Sequence, residues 1–468
     1  MEQIAGRKEE IALLEGLTKV QKSAFVAVYG RRRVGKTYLI RTVFDNQFCF
    51  QTTGLAKVGF RTQLANFHTS MVKYFPQMEH KAIAKNWFAA FLHLSDCLEN
   101  DQRAVKIVFL DELPWFDTPQ SNFISALEHF WNSFASARRD ILLITCGSAA
   151  AWMVNNLINN HGGLHNRVTH RIRLHAFTLS ECEAFFQLKN IVLDRYQLIQ
   201  IYMAMGGIPF YLDNIQQGLS AAQNINNLCF KEDGLLRKEF NNLYPSLFKK
   251  SENHLAIVEA LAKKGKGMTR LELIAATKMP DSGTVTRVLR ELEESSFIRQ
   301  YNAFGKNSNN IFQLSDFYSL FYLRFIKGIS LNDENIWTNS LDNPSIRAWS
   351  GYAFEQVCLA HIPAIKKALG ISGIQTHTCA WNGKGAQIDL VIDRRDHVIN
   401  LCEMKFSLNT FTIDKQYDAE LRQKVSLFRE QTETKKALFL TMITTFGLEQ
   451  NAYAGSMVSR SLTMDMLF

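Results

Sequence analysis

Three things are scarce in this 468-residue chain: paired cysteines, long apolar runs and an excess of acid. The eight cysteines include no C-x-x-C pair and no metal-like spacing, and stretches such as "LLITCGS" and "INLCEM" bury them in apolar runs. That pattern excludes a disulfide framework and a cysteine zinc site, so reduced core thiols are expected. The longest apolar stretch, near 141–154, is interrupted and short. A bilayer-spanning helix needs about 20 such residues. The opening "MEQIAGRKEE" is charged and has no apolar signal region. A cytoplasmic protein without a membrane partner is the expectation. Lys and Arg total 53 against 44 acidic residues, a net charge of +9, which permits a polyanionic partner. Apolar residues make up 47% and charged residues 21%, a globular balance. A chain of this length exceeds one core, so about two to four domains are expected.

What the chain does have is a glycine loop in a telling context. "FVAVYGRRRVGKTYLIRTVF" gives a short apolar strand at 25–29, a loop, then helical periodicity. Gly30, Arg31, Arg32, Arg33, Val34, Gly35, Lys36 and Thr37 match GxxxxGK[ST]. Glycines there let backbone N–H groups curl round phosphate oxygens at a helix start. Lys36 is expected to reach the β- and γ-phosphates of ATP, and Thr37 to ligate Mg²⁺. A second strand, "VKIVFLDE", ends in Asp111 and Glu112. Asp111 is expected to hold the Mg²⁺ shell, and Glu112 to orient or deprotonate the attacking water. Two acids after a strand also serve as an ordinary helix cap. The pairing with an upstream glycine loop favours hydrolysis. A third strand at 140–152 offers Thr145 or Ser148 to sense the γ-phosphate, although small residues are ordinary turn formers too. Arg167 and Arg171 are candidates for a transition-state charge, with a solvated basic turn as the plainer alternative.

The order "IAGRKEEIALL", "YGRRRVGKT", "VFLDE", "TCGSA", "NRVTHRIRL", "GGIPFYL" resembles the archaeal-type P-loop ATPases of the AAA/STAND group over about the first 250 residues. The resemblance implies that the G-R-x-x-E box, with Arg7, helps form the adenine pocket.

From 251 the pattern shifts to short helices. Thr269 and Glu272 make a capping-box pair, and Val285, Val288, Leu289 and Leu292 form one apolar helical face. Two strands round a polar loop follow, and the set reads as a winged helix-turn-helix. Ser282, Thr284, Arg287 and Arg290 suit phosphates or base edges, whereas Glu291, Glu293 and Glu294 crowd the helix end. Such modules also serve only to pack domains together. The aromatic "LSDFYSLFYLRFI" reads as packing.

In the last quarter, "IDLVIDRRDHVINLCEMKF" reads as a hairpin. A turn near 395–396 sets Asp389 opposite, or within one residue of, Glu403. Adjacent strands lie about 4.8 Å apart, so the two carboxylates can share a divalent ion. Lys405 falls on the same strand face as Glu403, placed to orient water or neutralise charge. An E-x-K pair alone would be an ordinary surface ion pair. The hairpin resembles the core of the PD-(D/E)xK nucleases, which implies that Glu355, on an upstream helix, is the first metal-binding acid. No proline precedes Asp389, a small departure. Gln423 and Lys424 on the next helix are candidates to touch substrate.

The expectation is therefore an α/β multidomain chain. Residues 1–250 form a P-loop parallel sheet with a helical extension, 251–330 a winged helix, and 331–468 a restriction-endonuclease-like domain. ATP and Mg²⁺ are the expected cofactors, nucleic acid (DNA before RNA) the expected partner, and a nucleotide-dependent homo-oligomer the expected assembly. A STAND-type signalling switch and a DNA-binding regulator are the alternatives.

Overall fold

The computed structural model describes residues 4–159, 166–248, 250–329 and 335–468, with the backbone alone for 306–309. The chain forms two compact units. One comprises residues up to Ala176 together with Glu294–Ser296, and the other Phe177–Glu293 and Phe297–Phe468. The expected boundary at 330 falls outside the described residues.

The first unit is built on five parallel strands, β1 (Ala24–Tyr29), β2 (Phe50–Thr53), β3 (Lys106–Asp111), β4 (Ile141–Gly147) and β5 (His170–Arg173), in the order β2-β3-β4-β1-β5. Strands β3 and β4 are buried along their whole length, as parallel strands covered on both faces must be. The helices are α1 (Lys8–Lys19), α2 (Lys36–Val43), α3 (Phe60–Tyr74), α4 (Trp87–Glu99) and α5 (Phe123–Ser133). Asn86 starts α4 by accepting a hydrogen bond from the Ala89 amide at 2.9 Å. The next residue, Trp87, is fully buried and packs against Phe67, Phe91, Phe116 and Phe123, with ring centroids 5.0–6.3 Å apart. The order of the sheet matters for function. Because β4 lies between β1 and β3, the carboxyl ends of three adjacent strands open on one edge. That edge is where ligands bind in open α/β sheets.

The second unit begins with α6 (Leu179–Leu188) and α7 (Arg195–Met205), then α8 (Ser251–Lys263), β6 (Met268–Thr269), α9 (Arg270–Thr277) and α10 (Gly283–Glu294). The Thr269–Glu272 capping box forms at the start of α9. The antiparallel pair β7 (Ile298–Ala303) and β8 (Lys306–Leu314) follows. Phe317, Tyr318, Leu320 and Phe321 are buried. Then come α11 (Pro344–Ala360), β9 (Thr376–Gly383), β10 (Ala386–Arg394), β11 (Val398–Lys405), α12 (Lys415–Thr432), β12 (Ala437–Thr444) and β13 (Arg460–Thr463). All eight strands join one sheet in the order β13-β12-β11-β10-β9-β7-β8-β6. The β7–β9 join is a single parallel bridge at Ala303 and Ala380. Trp381, Val391, Leu401, Phe428 and Met442 are core residues between this sheet and α12. All eight cysteines are free and buried. No helix among the described residues is long and apolar enough to cross a membrane.

Truncating the indole at the centre of the first core tests this packing. Trp87→Ala should cost that unit about 3–5 kcal/mol, read as a lower denaturant midpoint. A loss below about 1 kcal/mol would contradict the aromatic core described.

Candidate functional site

The loop after β1 turns in a way that only glycine allows at its first position. Gly30 has φ of +145°, and a Cβ there would stand 2.2 Å from the Leu174 carbonyl oxygen. Gly35, at φ +88°, precedes Lys36, the first residue of α2. Val34 packs into the core, Arg31 is buried, Arg32 is exposed and Arg33 is half-buried. The Lys36 ammonium curls back onto the loop, donating to the Gly30 carbonyl at 3.1 Å and the Arg31 carbonyl at 2.8 Å. Burial pushes its pKa down, against the pull of Glu112 and Asp111. A cation held by two neutral carbonyls in a desolvated loop is ready for an anionic partner.

Opposite the loop, Thr37 Oγ1 donates to both oxygens of Asp111 at 3.1 Å. Burial raises the Asp111 pKa first and the neighbouring Glu112 charge second, while the Thr37 hydrogen bond opposes both. A hydroxyl and a buried carboxylate at this spacing are hard oxygen donors, and their chemistry fits Mg²⁺. Glu112 adopts φ 49° and ψ 47°, a left-handed conformation that a residue with a Cβ rarely takes. Its carboxylate accepts from Ser148 Oγ at 2.8 Å. Thr145, the other sensor candidate, donates to the Val26 carbonyl at 3.2 Å inside the sheet. Of the two, Ser148 is the one that meets Glu112. Arg7 is buried, and its guanidinium lies against the His175 carbonyl and, at 4.0 Å, Glu10. That carbonyl follows Leu174, which backs Gly30, so Arg7 lies beside the start of the loop. Arg167 and Arg171 are exposed.

The second set of residues gathers on the sheet of the other unit. Strands β10 and β11 pair antiparallel with Leu390 opposite Cys402 and Asp393 opposite Ile399. Continued one step past its last pair, that register would set Asp389 opposite Glu403. The β9–β10 pairing slips between Ile388 and Val391, a bulge that contains Asp389. Such bulges re-aim side chains and favour site edges. Glu355, on α11, is pushed up to about 8 by burial first, then by the charges of Asp389 and Glu403, with Lys405 and Lys266 opposing. The Asp389 carboxyl is likewise raised, chiefly by burial. Lys405 lies 3.3 Å from Glu403 and 5.1 Å from the Tyr417 ring centroid.

Sequence reasoning did not assign two partners of Glu403. Lys424 Nζ donates to both of its oxygens, at 2.8 and 3.0 Å, and Tyr417 Oη donates at 2.9 Å. Helical spacing was the available signal, since Tyr417 and Lys424 are seven residues apart and share one face of α12. The oxygen donors suit a hard cation, and the Lys424 ammonium supplies positive charge there. Among the described residues, no three acidic, histidine or cysteine side chains stand close enough to cage an ion as arranged.

Residues 4–215 match the family described as an ATPase domain predominantly from Archaea. That match supports an archaeal-type P-loop ATPase domain in the amino-terminal region. An uncharacterized protein of Methanocaldococcus jannaschii is 23% identical over 390 residues, covering 82% of this chain and 83% of its own. An uncharacterized ATP-binding protein of the same organism is 46% identical over 41 residues, 9% of this chain and 70% of that one. Among solved structures, a Walker-type ATPase of Pyrococcus abyssi superposes with a TM-score of 0.50 at 17% identity. It covers 69% of this chain and 96% of that chain, and the likeness is one of fold.

Within this ATPase domain the geometry separates binding from turnover. Lys36→Ala should abolish ATP binding, measured by fluorescent-nucleotide titration. Glu112→Gln should keep binding while lowering hydrolysis by about 10²–10⁴-fold, the contribution of a positioned general base. Unchanged turnover in either variant would sink the assignment.

Proposed function

We propose that this chain is an ATP-hydrolysing switch coupled to a metal-dependent, nuclease-like domain that acts on nucleic acid. Residues 1–250 are read as the P-loop ATPase with its helical extension, 251–330 as a winged helix-turn-helix and 331–468 as a PD-(D/E)xK domain.

In the ATPase, loop amides and Lys36 hold the phosphates, Thr37 and Asp111 hold Mg²⁺, and Glu112, steadied by Ser148, orients the water. Bound Mg²⁺ neutralises charge on the phosphate oxygens. Arg7 contributes to the adenine side. Exposed Arg167 and Arg171 are candidates to meet the nucleotide of a second copy in a nucleotide-dependent assembly. The middle module has the three helices and hairpin of a winged helix, with Arg287 and Arg290 exposed for phosphate contact.

One observation supports the nuclease reading: the β10–β11 register, continued one step past Leu390 and Cys402, brings Asp389 toward Glu403, and Glu355 lies in the field of both. Asp389 and Glu403, with Glu355 in their field, would offer hard oxygen donors to a divalent cation, which when bound would acidify water and stabilise charge on the phosphate. Lys405, on the same strand face as Glu403, orients that water or compensates charge at the scissile phosphate. DNA is the first substrate to try, given the net charge of +9 and the helical module.

A second reading, a STAND-type signalling switch whose last domain does not cut, has its own support. Both oxygens of Glu403 are engaged by Lys424, an arrangement that balances the acid without a metal.

The two readings part on one assay. Incubated with Mg²⁺ and labelled DNA or RNA, the unaltered chain should cleave, and Lys405→Ala should lose about 10²–10⁴-fold of that rate, the contribution of a positioned acid–base side chain. No cleavage on either polymer, or equal cleavage by the variant, favours the switch.

A further inference from the structure

The nuclease-like site does not end at the borders of its own segment. Lys266 lies in the short turn between α8 and β6, more than a hundred residues upstream of Asp389 and Glu403. Its ammonium donates to Gln387 Oε1, and Gln387 Nε2 donates in turn to Asp389 Oδ1. An amide has one acceptor end and one donor end. With its oxygen on an ammonium and its nitrogen on a carboxylate, Gln387 has one sensible orientation, and its dipole links cation to anion.

The turn that carries Lys266 is itself held. The Lys266 carbonyl accepts from Tyr301 Oη of β7 at 2.7 Å, and the Gly267 amide donates to the Lys264 carbonyl at 2.9 Å. Gly267 has φ of +81°, and a Cβ there would meet Ile311 at 2.7 Å, so the turn has little freedom. The same module holds the helix of Glu355 at two points one turn apart. Tyr352 Oη donates to the Gly265 carbonyl at 3.3 Å, and Arg299 of β7 donates to Gln356. Strand β7 meets β9 only at Ala303 and Ala380, and the Phe304 amide donates to the Ala380 carbonyl at 2.8 Å. Ala380 falls where the β9–β10 register slips, beside the bulge that holds Asp389.

We propose that Lys266 is a positioning residue of the carboxylate site, supplied by the 251–330 module and acting on Asp389 through Gln387. The module is thereby part of the metal site rather than only a neighbour or a DNA reader. This inference rests on the nuclease-like reading of Asp389 and Glu403. Fixing one oxygen of Asp389 by the Gln387 amide leaves the other oriented for a cation. Hydrogen-bonded partners of ligating carboxylates typically matter by about 10–100-fold in metal affinity.

The sign of the effect separates positioning from simple electrostatics. A lysine that only repels cations would, when removed, tighten metal binding. A lysine that orients a ligand would, when removed, weaken it. Mn²⁺ alone is titrated calorimetrically into the full-length chain and into Lys266→Ala, Lys266→Arg, Gln387→Met, the Lys266→Ala/Gln387→Met double variant and Asp389→Asn. Lys266→Ala and Gln387→Met should each weaken Mn²⁺ about 10-fold, and the double variant no more than either, because both break one relay. Lys266→Arg should restore most of the affinity. Unchanged or tighter Mn²⁺ binding in Lys266→Ala, or fully additive losses in the double variant, would overturn the relay. If Lys266→Ala fails to fold in a thermal melt, Gln387→Met alone decides, since it leaves the lysine in place. Asp389→Asn reports on the underlying reading: an Mn²⁺ isotherm identical to that of the unaltered chain removes the metal site, and the relay with it.

Discussion

A carboxylate withdrawn from water must be answered by a proton, a hydrogen-bond donor or a cation, and both candidate sites are built round that requirement. Asp111 is raised by burial and by Glu112, and its immediate answer is the Thr37 hydroxyl. Glu355 is raised to about 8 by burial, Asp389 and Glu403. Its answer is distributed over Lys405 and Lys266, while Lys424 serves Glu403. The sites differ in how the cations are held. In the P-loop, Lys36 rests on backbone carbonyls, so an arriving phosphate competes with neutral dipoles. On the β10–β11 hairpin, Lys424 rests on the very carboxylate a metal would use. The P-loop is therefore already arranged to receive a phosphate, whereas a divalent ion at Glu403 would first have to displace an ammonium.

The contrast explains what the sequence made legible. A glycine loop works through contiguous backbone, so residues 30–37 state their own geometry, and the apolar run before Asp111 marks its strand. The β10–β11 pairing was readable to within one residue, because a hairpin's turn position sets its register. The bulge at Asp389 was not readable, since it depends on β9, a strand paired from the other side. The choice of Ser148 over Thr145 was likewise hidden. Both lie at the end of one apolar strand, and only the placement of β4 beside β3 brings Ser148 to Glu112. Lys266 was hidden for the strongest reason: its partner is 121 positions away, and nothing local to "KKGKGM" distinguishes it from a solvated turn.

Chain order and compactness also divide the molecule differently. The segment after Phe177 begins with α6 and α7, whose residues Leu179, Leu198, Ile199 and Ile201 are buried. The Leu179 amide donates to His361 Nε2, beyond the end of α11, at 3.0 Å. Burial lowers the His361 pKa and keeps the imidazole neutral, as an acceptor must be. A helical extension that follows an ATPase sheet in the sequence is thus tied by a hydrogen bond to the end of a helix some 180 residues later. Composition carries no trace of such a tie.

Strand β9 shows why the middle module and the last sheet form one structure. An edge strand with free N–H and C=O groups invites non-native pairing, and natural sheets cover such edges. Here β7 covers part of that edge through a single bridge at Ala303 and Ala380. The side chains do the rest, with Arg299 on Gln356, Tyr352 on Gly265 and Lys266 on Gln387 fastening the two faces beside that bridge. Each of these three contacts ends within two residues of Glu355, Asp389 or the Lys266 turn. A rotation of the module about its one backbone bridge would move all three together. Its orientation is therefore coupled to the alignment of Glu355 with Asp389 by geometry alone, with no longer pathway required.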